Sequence, residues 1–109
     1  MTTSTSKPRA VLETPLRQGE QESIVYELST TPWGSSPGSV VVTAYEITEG
    51  AYTDVSATVL DPGGASVVGD KISLPALSSL TAGKLYRVEV KFTCGSNTFE
   101  CYVEIEAEN

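Results

Sequence analysis

Histidine is absent from this 109-residue chain and basic residues are scarce: seven lysines and arginines stand against fourteen acidic side chains, a formal charge of −7. Without histidine, a serine or cysteine nucleophile has only carboxylates, lysines or an α-amine to serve as its base, and neither Cys94 nor Cys101 has one at a telling position. Affinity for a phosphate backbone comes from counterion release by clustered cations, so this charge balance argues against nucleic acid. The surplus acid serves instead as a solubility device that opposes self-association. Long apolar runs are missing as well. The longest reach three residues, as at residues 40–42, far short of the ~20 that span a bilayer, so no membrane segment is expected. Residues 1–8 have no apolar core after their charge, so no secretory signal is expected and synthesis in a cytoplasm is the default.

Only two cysteines occur, Cys94 and Cys101, with six residues between them. In the first of two alternating segments they follow Tyr86, Val88, Val90 and Phe92; in the second they sit among Phe99, Val103 and Ile105, so both thiols should face a core. A cross-strand disulfide forms only if the register sets them directly opposite; otherwise they are reduced, buried thiols, the state that fits a cytoplasm. The spacing is not that of a redox or zinc motif, and no histidine exists to complete four ligands. Asp54, Asp61 and Asp70 lack the dense oxygen spacing of a calcium loop, and Gly63-Gly64 is too short for a phosphate cradle. Glu100, Glu104 and Glu106 alternate outward, as on a solvated strand face rather than in a glycosidase carboxylate pair. No cofactor, metal or enzyme activity is therefore expected.

What the chain does have is Thr, Ser, Val, Gly and Pro in a period-two pattern broken by turns. At this length one core is expected, and the pattern reads as an all-β, two-sheet sandwich of about seven strands. Residues 23–28 place Ile24, Tyr26 and Leu28 on one side. The Pro- and Gly-rich stretch at 30–38 is a long loop holding Trp33. Residues 39–47 set Val41, Thr43, Tyr45 and Ile47 on one face and Val40, Val42 and Ala44 on the other, as in a central strand. Residues 52–60 read as a strand with Val55, Ala57 and Val59 together, ending at the turn Asp61-Pro62-Gly63-Gly64. Short strands follow at 67–68 and 71–74, with Gly69-Asp70 either a bulge or a tight turn. Residues 84–93 and 98–107 form the clearest hairpin, and only 75–82 offers a helical turn. Residues 1–9 read as an extended N-terminal arm and 10–109 as the domain.

The stretch from Ile72 through Leu80-Thr81-Ala82-Gly83-Lys84-Leu85-Tyr86-Arg87-Val88-Glu89-Val90 is similar to the closing part of a fibronectin type III or related immunoglobulin-like domain. That resemblance covers about a third of the chain. It implies a tyrosine corner at Tyr86, with the ring in the core and the hydroxyl returning to backbone a few residues upstream; Leu80, Gly83, Val88 and Val90 are its structural companions. It specifies a fold rather than a function.

A second resemblance bears on function. Thr5-Ser6-Lys7-Pro8-Arg9-Ala10-Val11-Leu12-Glu13, the chain length and the final strand from Gly95 to Ile105 look like the small immunoglobulin-like structural proteins of tailed bacteriophages. Those proteins often carry an aspartate before the proline and tryptophans after the Ala-Val-Leu segment, where this chain has Leu16-Arg17-Gln18-Gly19-Glu20. The resemblance implies a non-enzymatic virion protein, made in the host cytoplasm, that decorates or cements the head shell. A neck, tail or baseplate accessory is the other placement. Partners would be capsid or other virion proteins, including copies of itself. Candidate partner contacts are Lys7, Arg9 and Val11 in the arm, which either adds a strand to a neighbour's edge or is a frayed end. Trp33 is either a lid on the core or a contact anchor. From a different class, a carbohydrate-binding or adhesion module would use Trp33, Tyr45 and Tyr52.

Overall fold

The computed structural model describes residues 9–10 and 16–109; Lys7, Val11 and most of the expected arm lie outside the described residues. In chain order the elements are β1 (Arg9–Ala10), β2 (Leu16–Gly19), β3 (Glu27–Ser29), β4 (Gly38–Thr48), β5 (Ala51–Asp54), α1 (Ser56–Val59), β6 (Ser66–Val68), β7 (Lys71–Ser73), β8 (Leu85–Cys94) and β9 (Asn97–Glu108). They build an all-β, two-sheet sandwich. In the larger, six-stranded sheet, β9 carries both β1 and β2 in parallel along one edge, then come β8, β4 and β5; the smaller sheet runs β3-β7-β6, all antiparallel. Arg9, placed in the arm by the sequence pattern, pairs in β1 with Cys101.

The hairpin of β8 and β9 dominates because its period-two apolar residues all land on one face. Tyr86, Val88, Val90, Phe92 and Cys94 are buried from β8, and Phe99, Cys101, Val103, Ile105 and Ala107 from β9. Gly95 turns the chain at φ +64, in the first of two turn positions where glycine is favoured. The opposing sheet contributes Leu28 and Ile72, α1 adds Val59, and the connecting segments add Leu74, Leu77 and Leu80. Cys94 lies opposite Asn97 and Cys101 opposite Val90, so four residues of register, about 13 Å of strand, separate the thiols and no disulfide joins them.

Two local expectations are corrected. The strand expected over residues 52–60 stops at Asp54, whose carboxylate accepts the Ser56 N–H at 2.9 Å and turns the chain into α1. In that turn Val55 and Val59 share the inward side and Ala57 is exposed, so the side chains follow helical spacing. Residues 75–82 form no helix. Leu77 exchanges backbone hydrogen bonds with Ile24, Ser78 N–H reaches Val59 C=O and Ala76 C=O accepts from Asp61, so lateral partners take the groups a helix would use internally. The pair Gly69-Asp70 is a tight turn between β6 and β7.

Tyr86 is 2% exposed and its hydroxyl accepts the Thr81 N–H at 2.8 Å, five residues upstream, while Gly83 holds φ +88 between them. Gln18, with no exposed surface, has its whole amide paired: Nε2 donates to Leu77 C=O at 2.7 Å and Glu22 C=O at 3.1 Å, and Oε1 accepts from the Tyr26 hydroxyl at 2.8 Å. Burial first, and the charge of Glu22 second, push the Tyr26 hydroxyl up from its usual range, which keeps that donor protonated. The amide ties β2 to the segment crossing between the sheets.

Candidate interaction surface on the large sheet

The residues that alternate with the core positions of β4, β8 and β9 face outward from the large sheet. Register aligns Tyr45 of β4 with Arg87 of β8 on one side and Asp54 of β5 on the other, and sets Arg87 against Glu104 of β9. Tyr52 and Tyr102 flank this row, and Arg87 is its hub. The guanidinium lies 3.7 Å from the Tyr102 ring centroid and 5.5 Å from that of Tyr52, and Nη1 donates to the Tyr52 hydroxyl at 3.0 Å. Arg87 Nε pairs ionically with Glu89 Oε2 at 3.1 Å without hydrogen-bond alignment. Tyr45 meets Tyr52 edge to face, with centroids 5.9 Å apart.

Packing of this kind covers a cation without removing it from the surface. The Arg87 side chain keeps 15% of its exposure, while Tyr52 keeps 49%. Burial, then Glu89 and Asp54, push the Tyr45 hydroxyl up against the opposing pull of Arg87, so the phenol stays neutral at physiological pH. Beside it a shallow depression of about 180 Å³ is lined by Val41, Thr43, Tyr45, Glu89, Lys91 and Glu100. The carboxylates on this face are Asp54, Glu89, Glu100, Glu104, Glu106 and Glu108. Among the described residues only Arg17, Arg87 and Lys91 oppose them, so these nine groups sum to −3. Arg17 is held by Glu106 and Glu108 at 3.5 Å each.

Trp33 is elsewhere. Its loop closes on Thr30, whose carbonyl accepts the N–H groups of Trp33 and Gly34 at 2.8 Å each. The indole packs on Phe92 (6.0 Å, 67°) and Phe99 (6.5 Å, 41°), as a half-buried lid at one end of the core. A side chain added at Gly34 would put its Cβ 3.0 Å from Cys94 Cβ, so this loop lies tight on the β8 terminus. Of the aromatic candidates named from sequence, Tyr45 and Tyr52 are brought together and Trp33 is not. Tyr102 and Arg87 were missed, although Tyr102 alternates with Glu100 and Glu104 on the solvated side of its strand and Arg87 alternates with the core positions Tyr86 and Val88. Among the described residues no three Cys, Asp or Glu side chains converge as metal ligands. Compared with models of known families, with curated proteins and with solved structures, the chain has no match.

Proposed function

We propose that this chain is an immunoglobulin-like, non-enzymatic structural protein of a tailed-phage virion, which decorates the assembled head shell by docking the outer face of its large sheet on a basic patch of shell protein. The observation that carries the reading is the Arg87, Tyr45, Tyr52 and Tyr102 cluster on an otherwise acidic sheet face that no other described element covers. Tyr and Arg are the residues in which interface energy concentrates, and a field of net −3 favours a surface rich in lysine and arginine. The strand order supports the immunoglobulin-like assignment: β3-β7-β6 facing β9-β8-β4-β5 follows the B-E-D and G-F-C-C′ order of such domains, with the tyrosine at the start of the F-like strand. The virion placement rests on the sequence resemblance.

A decorating protein that binds assembled shell in preference to free subunits stabilises the shell by that difference in affinity. A sugar-binding role fits this face less well, because the guanidinium covers the Tyr102 ring and Tyr45 meets Tyr52 edge-on, leaving no flat platform for a pyranose. The test is sedimentation of the purified protein with shells assembled from the shell protein of the same genome. We expect it to pellet with shells and to ignore unassembled subunits, with binding weakened as salt rises. Recovery entirely in the supernatant at low salt overturns the proposal; recovery on tails instead moves it to the neck or tail.

A further inference from the structure

β4 differs from its neighbours in where it keeps its charges. On the outer face β8 sets Arg87, Glu89 and Lys91 at alternate positions, and β9 sets Glu100, Glu104, Glu106 and Glu108. Charged residues spaced along a strand in this way deter pairing with other chains. From Leu28 to Tyr45 no charged side chain occurs, and within that stretch Val40-Val41-Val42-Thr43-Ala44-Tyr45 is a six-residue run without proline or glycine. Five of the six are β-branched or aromatic, the composition that interdigitates in dry cross-β stacks. Residues 55–60 are also uncharged, but they hold only three β-branched side chains and form α1.

The folded domain keeps this run from other copies. β8 pairs with it from Val41 onward. On its other edge the Ala44 C=O accepts the Val55 N–H, the Ala44 N–H donates to the Ser56 hydroxyl, each at 2.9 Å, and β5 covers Tyr45 to Thr48. A strand from a second folded copy would collide with Val55 and Ser56, so folded domains cannot join here. The cover is thin: all four residues of β5 are exposed, and β4 is the one described strand it pairs with. Local opening draws on elements with few buried contacts, and an opening that lifts β5 and α1 leaves the run with a free edge along its whole length.

We propose that Val40 to Tyr45 is the segment through which opened copies of this chain assemble, stacking as cross-β on the same segment of other copies. The partner is its own sequence: identical uncharged strands satisfy one another's backbone groups above and below, and their valine side chains interlock between sheets. The two charges that bracket the stretch, Glu27 and Glu46, lie outside the run, so no carboxylate enters the stack. The rest of the chain is acidic, and stacked copies repel through it. Salt screens that repulsion and should speed assembly.

The test holds the full chain, with agitation, at the midpoint of its thermal transition and follows thioflavin fluorescence and fibre diffraction. We expect fibres with a reflection at about 4.7 Å, faster growth as salt rises, and a protease-resistant core that spans residues 40–45. Val41→Lys places a charge in the run at a side chain that is 56% exposed in the folded domain, and it should abolish the thioflavin signal over the parent's time course. Val68→Lys, at a 76% exposed valine of β6 outside the run, should leave the signal at the parent's level. Parent and variants are compared at the same fraction unfolded, so a change in stability cannot mimic the result. A parent that stays soluble overturns the proposal. So does a resistant core lying elsewhere, a Val41→Lys variant that assembles like the parent, or a Val68→Lys variant that suppresses assembly as strongly. No shell takes part, so this proposal and the docking of the outer face fail separately.

Discussion

The two faces of the large sheet are written in the same strands, one residue out of step, and they solve opposite problems. Inward, β8 and β9 present an unbroken apolar set that meets Trp33, Leu28, Ile72 and Leu77. Outward, the alternate residues include Arg87, Lys91, Tyr102 and five glutamates, with the Arg87 guanidinium packed on the Tyr102 ring. Because a strand's side chains alternate, selection on one face need not disturb the other. The inner face fixes whether the chain folds, and the outer face is free to fix what it touches.

Substitutions that follow this division should separate stability from contact. The largest loss is expected from Phe92→Ala, which empties a fully buried site between Trp33 and Phe99 and should cost about 3–5 kcal/mol in a urea titration. Next comes Gln18→Ala, which leaves the half-buried Tyr26 hydroxyl without its acceptor and removes one of the two donors of the Leu77 carbonyl, the Ile24 N–H being the other. We expect a loss of about 2–3 kcal/mol by the same titration. Tyr86→Phe keeps the ring and removes only the bond to Thr81, for about 1 kcal/mol.

The smallest effect sits at the sheet's exposed margin, where Lys84 Nζ and Glu46 Oε2 lie 2.9 Å apart. The hydrogen bond from Lys84 lowers the Glu46 carboxyl below its ordinary 4.5, and the same bond raises Lys84 above 10.5. A lowered carboxyl stabilises above its unfolded value and loses that contribution as pH falls through the folded one. A raised lysine stabilises below its unfolded value and loses its contribution as pH rises past the folded one. The pair should therefore add a constant small increment between those limits and fade on either side. Lys84→Ala should flatten that part of the stability profile measured by denaturation across pH.

How much of this could be read from the chain differs along its length. The β8 and β9 hairpin was legible because alternation, a Gly turn and the Leu80, Gly83, Tyr86 spacing all agree, and local agreement of that kind is what a strand pair needs. Residues 52–60 were not. Val55, Ala57 and Val59 fit period two, but the Asp54 carboxylate and the Ser56 hydroxyl, bound to Ala44, favour a helical turn only once β4 is beside them. Leu77 hid for the same reason, its partners lying 53 and 17 residues away, at Ile24 and Leu60. Gln18 reads as a surface residue until its three hydrogen-bond partners close around it. The outer-face cluster was half visible: Tyr45 and Tyr52 were noticed singly, while their union with Arg87 and Tyr102 needs the register of four strands.

The most direct test of the division between faces is the double variant Tyr52→Ser/Arg87→Ser, measured for thermal melting and for sedimentation with assembled shells. Both side chains lie wholly on the outer face, so the account predicts a melting temperature within a few degrees of the parent and shell binding lowered at least about tenfold, the equivalent of 1.4 kcal/mol. Shell binding equal to the parent's, in a protein that melts normally, would contradict it.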